Sequence, residues 1–243
     1  MENILRFYGR RHGKSLKPSR LYLMENLLPE IEIKRPEKGK IDLKTLFPFD
    51  PKEIWLEIGF GGGEHLAEQA RLHKDIGFIG AEPFLNGVAS LLTHLNGSHD
   101  VPFKKENPLI EATRQDNVRI YPDDIRPLFP FLKDESFHRI FVLYPDPWPK
   151  SRHEQRRFLV KENLKELRRL LKKDGELRIA TDVEAYALWA MNEIKDSAFF
   201  TLKNTHLHDA PTDWVSTRYE QKGLKAGRTP FYLTYQKRLD EKT

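Results

Sequence analysis

Short apolar runs alternate with helical segments along most of this chain, and that alternation limits the possible folds more than any other feature. Runs typical of buried strands occupy residues 54–58, 78–82, 118–121, 139–144, 177–180 and 231–235. Between two of them, Val160, Leu164, Leu167 and Leu171 recur at helical spacing and predict a long helix over residues 154–173. Strands that alternate with helices indicate a parallel sheet covered on both faces.

Basic residues are concentrated in two segments. Residues 1–20 contain six Lys or Arg and one acidic residue, and residues 150–173 contain ten Lys or Arg and three Glu. Clustered cations attract phosphate backbones, so both segments are candidates for binding nucleic acid. We predict that residues 1–40 form a basic arm that is flexible until a partner orders it, with a short helix over 21–28, and that residues 41–243 form one domain.

Composition narrows the class of protein further. A chain of 243 residues can bury a full core, and it has no apolar run long enough to span a membrane. The absence of cysteine excludes disulfides, zinc–thiolate sites and thiol nucleophiles, and it fits a reducing compartment. We therefore expect a cytoplasmic protein without a resident metal, and the sequence leaves its oligomeric state open.

A glycine-rich turn follows the first predicted strand and opens a helix. It reads Glu57-x-Gly59-x-Gly61-x-Gly63, and such glycines let the backbone turn sharply and approach a ligand closely. The dinucleotide fingerprint requires a third glycine where Glu64 stands, and the Gly-Lys-Ser/Thr ending of a phosphate loop is absent. The remaining pattern resembles motif I of class I S-adenosylmethionine methyltransferases, whose cofactor is a cationic sulfonium without phosphate.

Three carboxylates lie near the ends of predicted strands. Glu57 sits in an otherwise apolar strand, where burying a carboxylate without a function would be costly. Glu82 ends the second strand and suits hydrogen bonds from two ribose hydroxyls. Asp124 follows the third strand and is placed for the adenine or methionine end of the cofactor, although a helix-capping role stays open for it.

The segment after the fourth strand combines chemistry suited to a planar, anionic substrate. Residues 143–153 carry three prolines, Asp146 to hydrogen-bond a base edge, Trp148 to stack, and Lys150 and Arg152 for phosphate. In open α/β sheets ligands bind at this edge, beyond the carboxyl ends of the strands. The alternative is a proline-rich surface turn.

Six segments in order now resemble one family, the bacterial tRNA (guanine-N7)-methyltransferases. They are residues 6–14, 57–63, 80–82, 145–153, 180–182 and 217–220. The resemblance covers nearly the whole chain and implies a Rossmann-like class I methyltransferase fold: a mostly parallel seven-stranded sheet with helices on both faces and an antiparallel C-terminal strand. One departure is Gln155, where the family often has lysine, and we expect it to affect RNA affinity alone.

The resemblance also implies roles for individual residues. It implies methyl transfer from S-adenosylmethionine to the variable-loop guanine at tRNA position 46, with Asp146 as the catalytic residue. The implied cofactor-binding residues are Glu57, Gly59, Gly61, Gly63, Glu82, Asp124 and Asp146. The implied substrate-binding residues are Lys150, Asp182, Thr217, Arg218, Tyr219 and Glu220. The basic segments add candidates for contacts with the RNA backbone: Arg10, Arg11, Lys14, Arg152, Arg156 and Arg157.

Three other functions remain open at this point. A class I methyltransferase acting on an exocyclic amine would carry a related Asn/Asp-Pro-Pro-aromatic motif, but here prolines flank Asp146 on both sides. A non-catalytic RNA-binding protein with this fold would not need Glu57, Glu82 and the intact glycines. A nicotinamide oxidoreductase is disfavoured by Glu64.

Overall fold

The structure is a computed structural model that describes residues 7–97, 115–204 and 207–239. The chain divides into two compact units, Met1–Phe131 and Leu132–Thr243. Each unit contains strands and helices of its own.

The first unit is built on three parallel strands in the order β3-β2-β1. These strands are β1 (Glu53–Ile58), β2 (Ile76–Ala81) and β3 (Val118–Tyr121). Helix α3 (Glu64–Leu72) connects β1 to β2, and α4 (Leu85–Leu95) follows β2. Every residue of β2 is buried, as expected for the middle strand of a parallel set.

Part of the predicted arm is folded into the first unit. Helix α1 (Pro18–Asn26) begins with proline in its first turn, where a missing N–H costs nothing, and α2 (Leu28–Ile31) follows it. Leu23, Leu27 and Ile31 are buried, and α1 packs against α4. The helix expected within residues 21–28 is therefore present, whereas the boundary at residue 40 and the RNA-dependent ordering of the arm stay predictions.

The second unit has two parallel strands followed by an antiparallel pair, in the order β4-β5-β7-β6. The strands are β4 (Phe137–Leu143), β5 (Leu171–Thr181), β6 (Phe200–Leu202) and β7 (Phe231–Lys237). The helices are α5 (Lys161–Leu170), α6 (Glu184–Ser197) and α7 (Arg218–Lys225). Seven strands, mostly parallel and antiparallel at the C-terminal end, with helices around them, confirm the predicted fold class.

The long helix predicted over residues 154–173 is wrong at both ends. A 3-10 helix covers Ser151–Arg156, and the chain is extended at Val160 before α5 begins. The buried residues Arg157 and Leu159 lie between the two helices. At the other end, Leu171 pairs with Phe137 as the first residue of β5. The helical spacing of apolar residues continues past α5 because Leu171, a buried residue of β5, lies four positions after Leu167.

Candidate active site

The glycine turn between β1 and α3 adopts a backbone that other residues rarely adopt. Gly59, Gly61 and Gly63 have φ angles of +73°, +57° and +80°. A Cβ atom at Gly63 would also lie 2.6 Å from the Cβ atom of Leu91. The turn therefore needs glycine for its conformation and for the close approach of α4.

Glu82 holds this glycine turn in place. It lies just after β2, is buried, and its Oε2 accepts a hydrogen bond from the Gly61 N–H at 2.8 Å. Its Oε1 accepts from the Phe84 N–H at 2.8 Å. Each carboxylate oxygen can accept more than one hydrogen bond, so these contacts leave capacity for the predicted ribose hydroxyls.

Glu57 has a buried partner that the sequence analysis missed. Only 3% of Glu57 is exposed, and its Oε2 lies 2.7 Å from Nδ1 of His65 on α3. His65 is also buried, and its Nε2 lies 3.4 Å from Nε2 of Gln69. Among the described residues, the other Glu57 oxygen, Oε1, has no hydrogen-bond partner. His65 therefore fixes one oxygen of the carboxylate and leaves the other for a ligand.

Replacing His65 by alanine is expected to weaken both the fold and cofactor binding. The Glu57 carboxylate would stay buried without its donor, at a cost of about 2 kcal/mol in the free energy of unfolding. Urea unfolding and calorimetric titration with S-adenosylmethionine measure the two effects. Leu72→Ala, at the exposed end of the same helix, is the control, and equal losses in both variants would contradict the role given to His65.

The carboxylates after β3 have different surroundings. Asp124 is buried, and its Oδ2 accepts from Nε of Arg126 at 2.9 Å while its Oδ1 accepts from the Arg126 N–H at 3.0 Å. Asp123 is more exposed and forms an ion pair with Arg11 at 2.7 Å. A cofactor role for Asp124 stays a prediction, and its contacts with Arg126 give it a local structural role.

Residues 10–14 of the arm lie beside the start of α4. The Gly13 N–H donates to Oδ1 of Asn86 at 2.7 Å, and Nδ2 of Asn86 donates to the Lys14 carbonyl at 2.7 Å. The side chains of Arg10, Arg11 and Lys14 are exposed. These contacts place three predicted phosphate-binding cations on the surface of the first unit.

In the second unit, Asp146 is exposed in the loop that follows β4, as predicted. Among the described residues, none donates a hydrogen bond to its carboxylate, so the group contributes little to the fold and is available to a ligand. Lys150 and Arg152 are exposed in the same loop. The structure therefore brings a free carboxylate and two accessible cations together within seven residues of chain.

The aromatic ring of this loop packs against its own neighbours. Trp148 has a φ angle of +41°, and His153 meets its ring edge-on, with the two ring centroids 5.8 Å apart. The guanidinium of Arg156 lies 5.1 Å from the centroid of the Trp148 ring. Burial and the nearby cations Arg156, Arg152 and Lys150 lower the pKa of His153. His153 is therefore expected to be neutral at physiological pH.

Arg157 differs from the other predicted phosphate contacts. Only 7% of it is exposed, and its guanidinium donates to the carbonyls of Pro147 and Trp148. Unlike Arg152, it is enclosed by the unit to which it belongs. Its burial makes it less accessible than the other candidates, and a contact between Arg157 and the RNA backbone stays a prediction.

Asp182, after β5, is held by residues near the C-terminus. Nε of Arg228 donates to its Oδ2 at 2.7 Å. A Cβ atom at Gly223, on α7, would lie 2.4 Å from the same oxygen. Glycine at this position thus allows α7 to approach the carboxylate.

Gly223→Ala is expected to lower the rate of methyl transfer about tenfold without destabilising the protein. Alanine favours the helix by about 1 kcal/mol, but its methyl group would push Asp182 away from Arg228. A steady-state assay and a thermal melt measure the two effects. Leu224→Ala, an exposed position on the same helix, is the control. An unchanged rate in Gly223→Ala would show that the position of Asp182 is unimportant.

The predicted substrate residues Thr217 to Glu220 form the start of α7. The Thr217 hydroxyl accepts from the Glu220 N–H at 2.9 Å, and Glu220 Oε2 accepts from the Thr217 N–H at 3.3 Å. This is a capping box, which satisfies N–H groups that the first turn leaves unpaired. Arg218 and Tyr219 are exposed beside it. The buried pair thus shapes the helix terminus, and the exposed pair is accessible to a substrate.

Glu220 is also anchored from outside α7. Its Oε2 accepts from Nε1 of Trp214 at 2.8 Å, and its Oε1 accepts from the Tyr232 hydroxyl. Tyr144 lies in the same region: burial, Glu220, Tyr232 and Asp182 raise the pKa of its hydroxyl. That buried hydroxyl has no hydrogen-bond partner within the described residues. It is a candidate ligand contact that the sequence analysis missed because the residue reads as the end of an apolar strand.

Two features are absent from the described residues. No group of three or more His, Asp or Glu residues is arranged to hold a metal ion within the part of the chain that the structure covers. The helices that the structure describes lack the length and apolar character that a membrane-spanning helix requires.

Comparisons with known proteins agree on the class. A family model described as "Putative methyltransferase" matches residues 51–233. A tRNA (guanine-N(7)-)-methyltransferase of Paramagnetospirillum magneticum is 44% identical over 96% of this chain and 93% of that protein. A protein of the same name from Ruegeria pomeroyi is 44% identical over 95% of this chain and 94% of its own.

Solved structures show the same fold at low sequence identity. An antibiotic-resistance methyltransferase matches with a TM-score of 0.51 and 17% identity, over 79% of this chain and 89% of its own. A 16S rRNA (adenine(1408)-N(1))-methyltransferase variant from Catenulisporales acidiphilia, solved with its cosubstrate, matches with a TM-score of 0.50 and 14% identity, over 79% and 88%. The fold is that of the class I methyltransferases, and the chain belongs to the tRNA (guanine-N(7)-)-methyltransferase family.

Proposed function

We propose that this protein transfers the methyl group of S-adenosylmethionine to N7 of the variable-loop guanine at position 46 of tRNA, in the cytoplasm. Membership of the family over nearly the whole chain carries this proposal. Two observations on the first unit support the proposed cosubstrate: the glycine turn has the positive φ angles that allow close approach of a ligand, and within the described residues only one oxygen of Glu57 is hydrogen-bonded. Acidic groups there suit a cationic sulfonium, which supplies an activated methyl group.

The chemistry of the acceptor atom, guanine N7, explains why the reaction does not need a strong base. Guanine N7 has an in-plane lone pair and no proton to remove, so the reaction needs alignment more than a strong base. Correct alignment alone contributes about 7–11 kcal/mol in well-oriented systems. The protein therefore has to hold the base still and stabilise the positive charge that forms on the purine ring.

Asp146 is the group that we propose for this task. Its carboxylate accepts hydrogen bonds from the guanine N1–H and exocyclic amine, and its negative charge stabilises the purine as positive charge develops. Adenine has an acceptor at N1, so the same carboxylate selects guanine. Asp182 is the less suitable carboxylate, because Arg228 already occupies its Oδ2. We propose that Asp182 contacts the substrate together with Arg218 and Tyr219.

Exposed and partly exposed cations supply the affinity for RNA. Extracting the target base from its tertiary contacts costs a few kcal/mol, and phosphate contacts offset that cost. We propose Arg10, Arg11, Lys14, Lys150, Arg152 and Arg156 for these contacts, with the N-terminal arm ordered further by the RNA. Binding should then weaken steeply as the salt concentration rises.

Labelled methyl transfer tests the proposal directly. Purified protein, methyl-labelled S-adenosylmethionine and bulk tRNA lacking 7-methylguanosine are incubated, and the product nucleosides are separated. Label in 7-methylguanosine supports the proposed reaction. Label in another nucleoside would move the protein to a sister activity, and cofactor binding without label in any tRNA nucleoside would refute the proposed acceptor.

A further inference from the structure

We infer that Arg157 is a positioning residue that fixes the loop carrying Asp146, and that it does not contact the RNA backbone. This inference rests on the proposed methyl transfer, because it assigns Arg157 a role through Asp146. Its basis is the set of contacts that the guanidinium makes inside the second unit.

The guanidinium of Arg157 binds the backbone of the two residues that follow Asp146. Its Nε donates to the Pro147 carbonyl at 2.9 Å, and its Nη2 donates to the Trp148 carbonyl at 3.2 Å. Its Nη1 lies 3.5 Å from the Glu154 carboxylate. One planar group therefore ties two consecutive carbonyls, which fixes the direction of the chain directly after the proposed catalytic carboxylate.

The loop depends on such an external donor. Pro145, Pro147 and Pro149 have no N–H group, so this stretch lacks three of its backbone donors. Trp148, between two of these prolines, has a φ angle of +41°. A non-glycine residue in this region is strained and persists only when its surroundings hold it there. Arg157 provides hydrogen bonds at the strained point of the loop.

Aromatic rings hold the guanidinium on its other side. It lies 4.6 Å from the centroid of the Trp189 ring and 5.9 Å from that of Tyr186, both on α6. Burial raises the pKa of the Tyr186 hydroxyl, the Arg157 cation lowers it and the Asp146 carboxylate raises it further. Arg157 and Asp146 are thus electrostatic neighbours of the same buried ring. The guanidinium connects α6 to the loop by stacking on one side and hydrogen bonding on the other.

Lysine does not replace arginine in this arrangement. The planar guanidinium can donate to two carbonyls and lie on a ring face at the same time. The ammonium group of lysine is a compact, strongly hydrated charge that cannot do both. Arg157→Lys keeps the aliphatic stem and the charge but loses the paired hydrogen bonds. A phosphate contact needs only the positive charge, which Arg157→Lys keeps. A positioning role needs the paired hydrogen bonds, which Arg157→Lys loses.

The test compares Arg157→Lys and Arg157→Ala with Arg152→Ala, an exposed candidate for phosphate contact in the same loop. Circular dichroism first establishes that each variant is folded. Single-turnover methyl transfer at saturating S-adenosylmethionine and tRNA measures the rate of the chemical step. Binding of tRNA at several salt concentrations measures phosphate contacts. Guanidinium is then added to Arg157→Ala at concentrations that do not unfold the wild type. Recovery of the rate would show that the missing guanidinium group is what the variant lacks.

For Arg157→Lys we expect a single-turnover rate about 10- to 100-fold below that of the wild type, because small errors in alignment are costly. Its affinity for tRNA and the salt dependence of binding should stay within about twofold of the wild type, since no phosphate contact is lost. Arg152→Ala should instead bind tRNA more weakly, with a salt slope smaller by about one. Guanidinium should restore part of the Arg157→Ala rate.

Wild-type rate in Arg157→Lys, or a loss confined to tRNA affinity and salt slope in Arg157→Ala, would overturn the inference. If Arg157→Ala does not fold, Arg157→Lys decides the matter alone. Failure of the proposed function looks different, because the wild-type protein itself would then form no 7-methylguanosine.

Discussion

Asp146→Asn is expected to lower the single-turnover rate of methyl transfer by about 100- to 1,000-fold, the usual effect of removing one preorganised electrostatic group. Asparagine keeps the size of the side chain but loses the negative charge, and its amide presents a donor where the guanine edge also has donors. Because the Asp146 carboxylate has no partner within the described residues, the melting temperature should stay within about 1 °C of the wild type.

The control for this prediction is Asp209→Asn, which neutralises an exposed carboxylate elsewhere in the second unit. Single-turnover assays at saturating S-adenosylmethionine and tRNA exclude effects on binding. A rate for Asp146→Asn within a few-fold of the wild type would remove Asp146 from the mechanism. Loss of rate together with loss of folding would instead show that the carboxylate has a structural role.

Glu82→Gln is expected to weaken S-adenosylmethionine binding by about 100-fold, which corresponds to about 2.7 kcal/mol. Both carboxylate oxygens accept from backbone N–H groups, those of Gly61 and Phe84. A glutamine amide can accept at only one of these places and must point its NH2 group at the other donor. One hydrogen bond to a charged group, worth about 1.5–3 kcal/mol, would therefore be replaced by a repulsive contact.

Calorimetric titration of the folded variant measures this loss. Glu68→Gln, on the exposed side of α3 and paired with Arg71, makes the same chemical change away from the glycine turn and is the matched control. The affinity of Glu82→Gln for tRNA should stay near that of the wild type. An unchanged affinity for S-adenosylmethionine would show that Glu82 does not shape the cofactor-binding turn.

Local sequence patterns were sufficient to predict most of the sheet. Strands such as 54–58 and 118–121 are short apolar runs bounded by polar residues and turns, and their burial depends mainly on their own composition. The three-residue strand β6 (Phe200–Leu202) carries too few residues for a pattern, and only its pairing with β7 defines it. The helix α7 was also missed, although its capping box at Thr217 and Glu220 is a readable start signal.

The sequence predicted the residues of the candidate site but not the contacts that hold them. The sequence singled out Glu57 because burying a carboxylate is costly, and the structure shows it buried beside His65. The ligand role of Glu57 stays a prediction. His65 lies on the following helix and carries no signal of its own in the sequence. The same holds for Arg228, which reaches Asp182 from 46 residues away. Such contacts depend on the tertiary fold, so no spacing rule reveals them.

Arg157 shows that a count of charges does not predict whether a side chain is buried. In the sequence it is one of ten cations between residues 150 and 173, and such runs usually lie on solvated surfaces. In the structure it is buried, because Tyr186 and Trp189 on α6 provide ring faces and the proline-rich loop provides the carbonyls of Pro147 and Trp148. Composition reports the number of charges, whereas their burial is determined by residues about 30 positions away.

The measurement that tests the central claim most directly uses two tRNA transcripts that differ only at position 46 of the variable loop, one with guanine and one with adenine. Each is incubated with the protein and methyl-labelled S-adenosylmethionine, and the labelled nucleoside is identified and located. The proposed function predicts 7-methylguanosine at position 46 of the first transcript and no label in the second. Equal labelling of both transcripts, or label at any other position of the first, would contradict it.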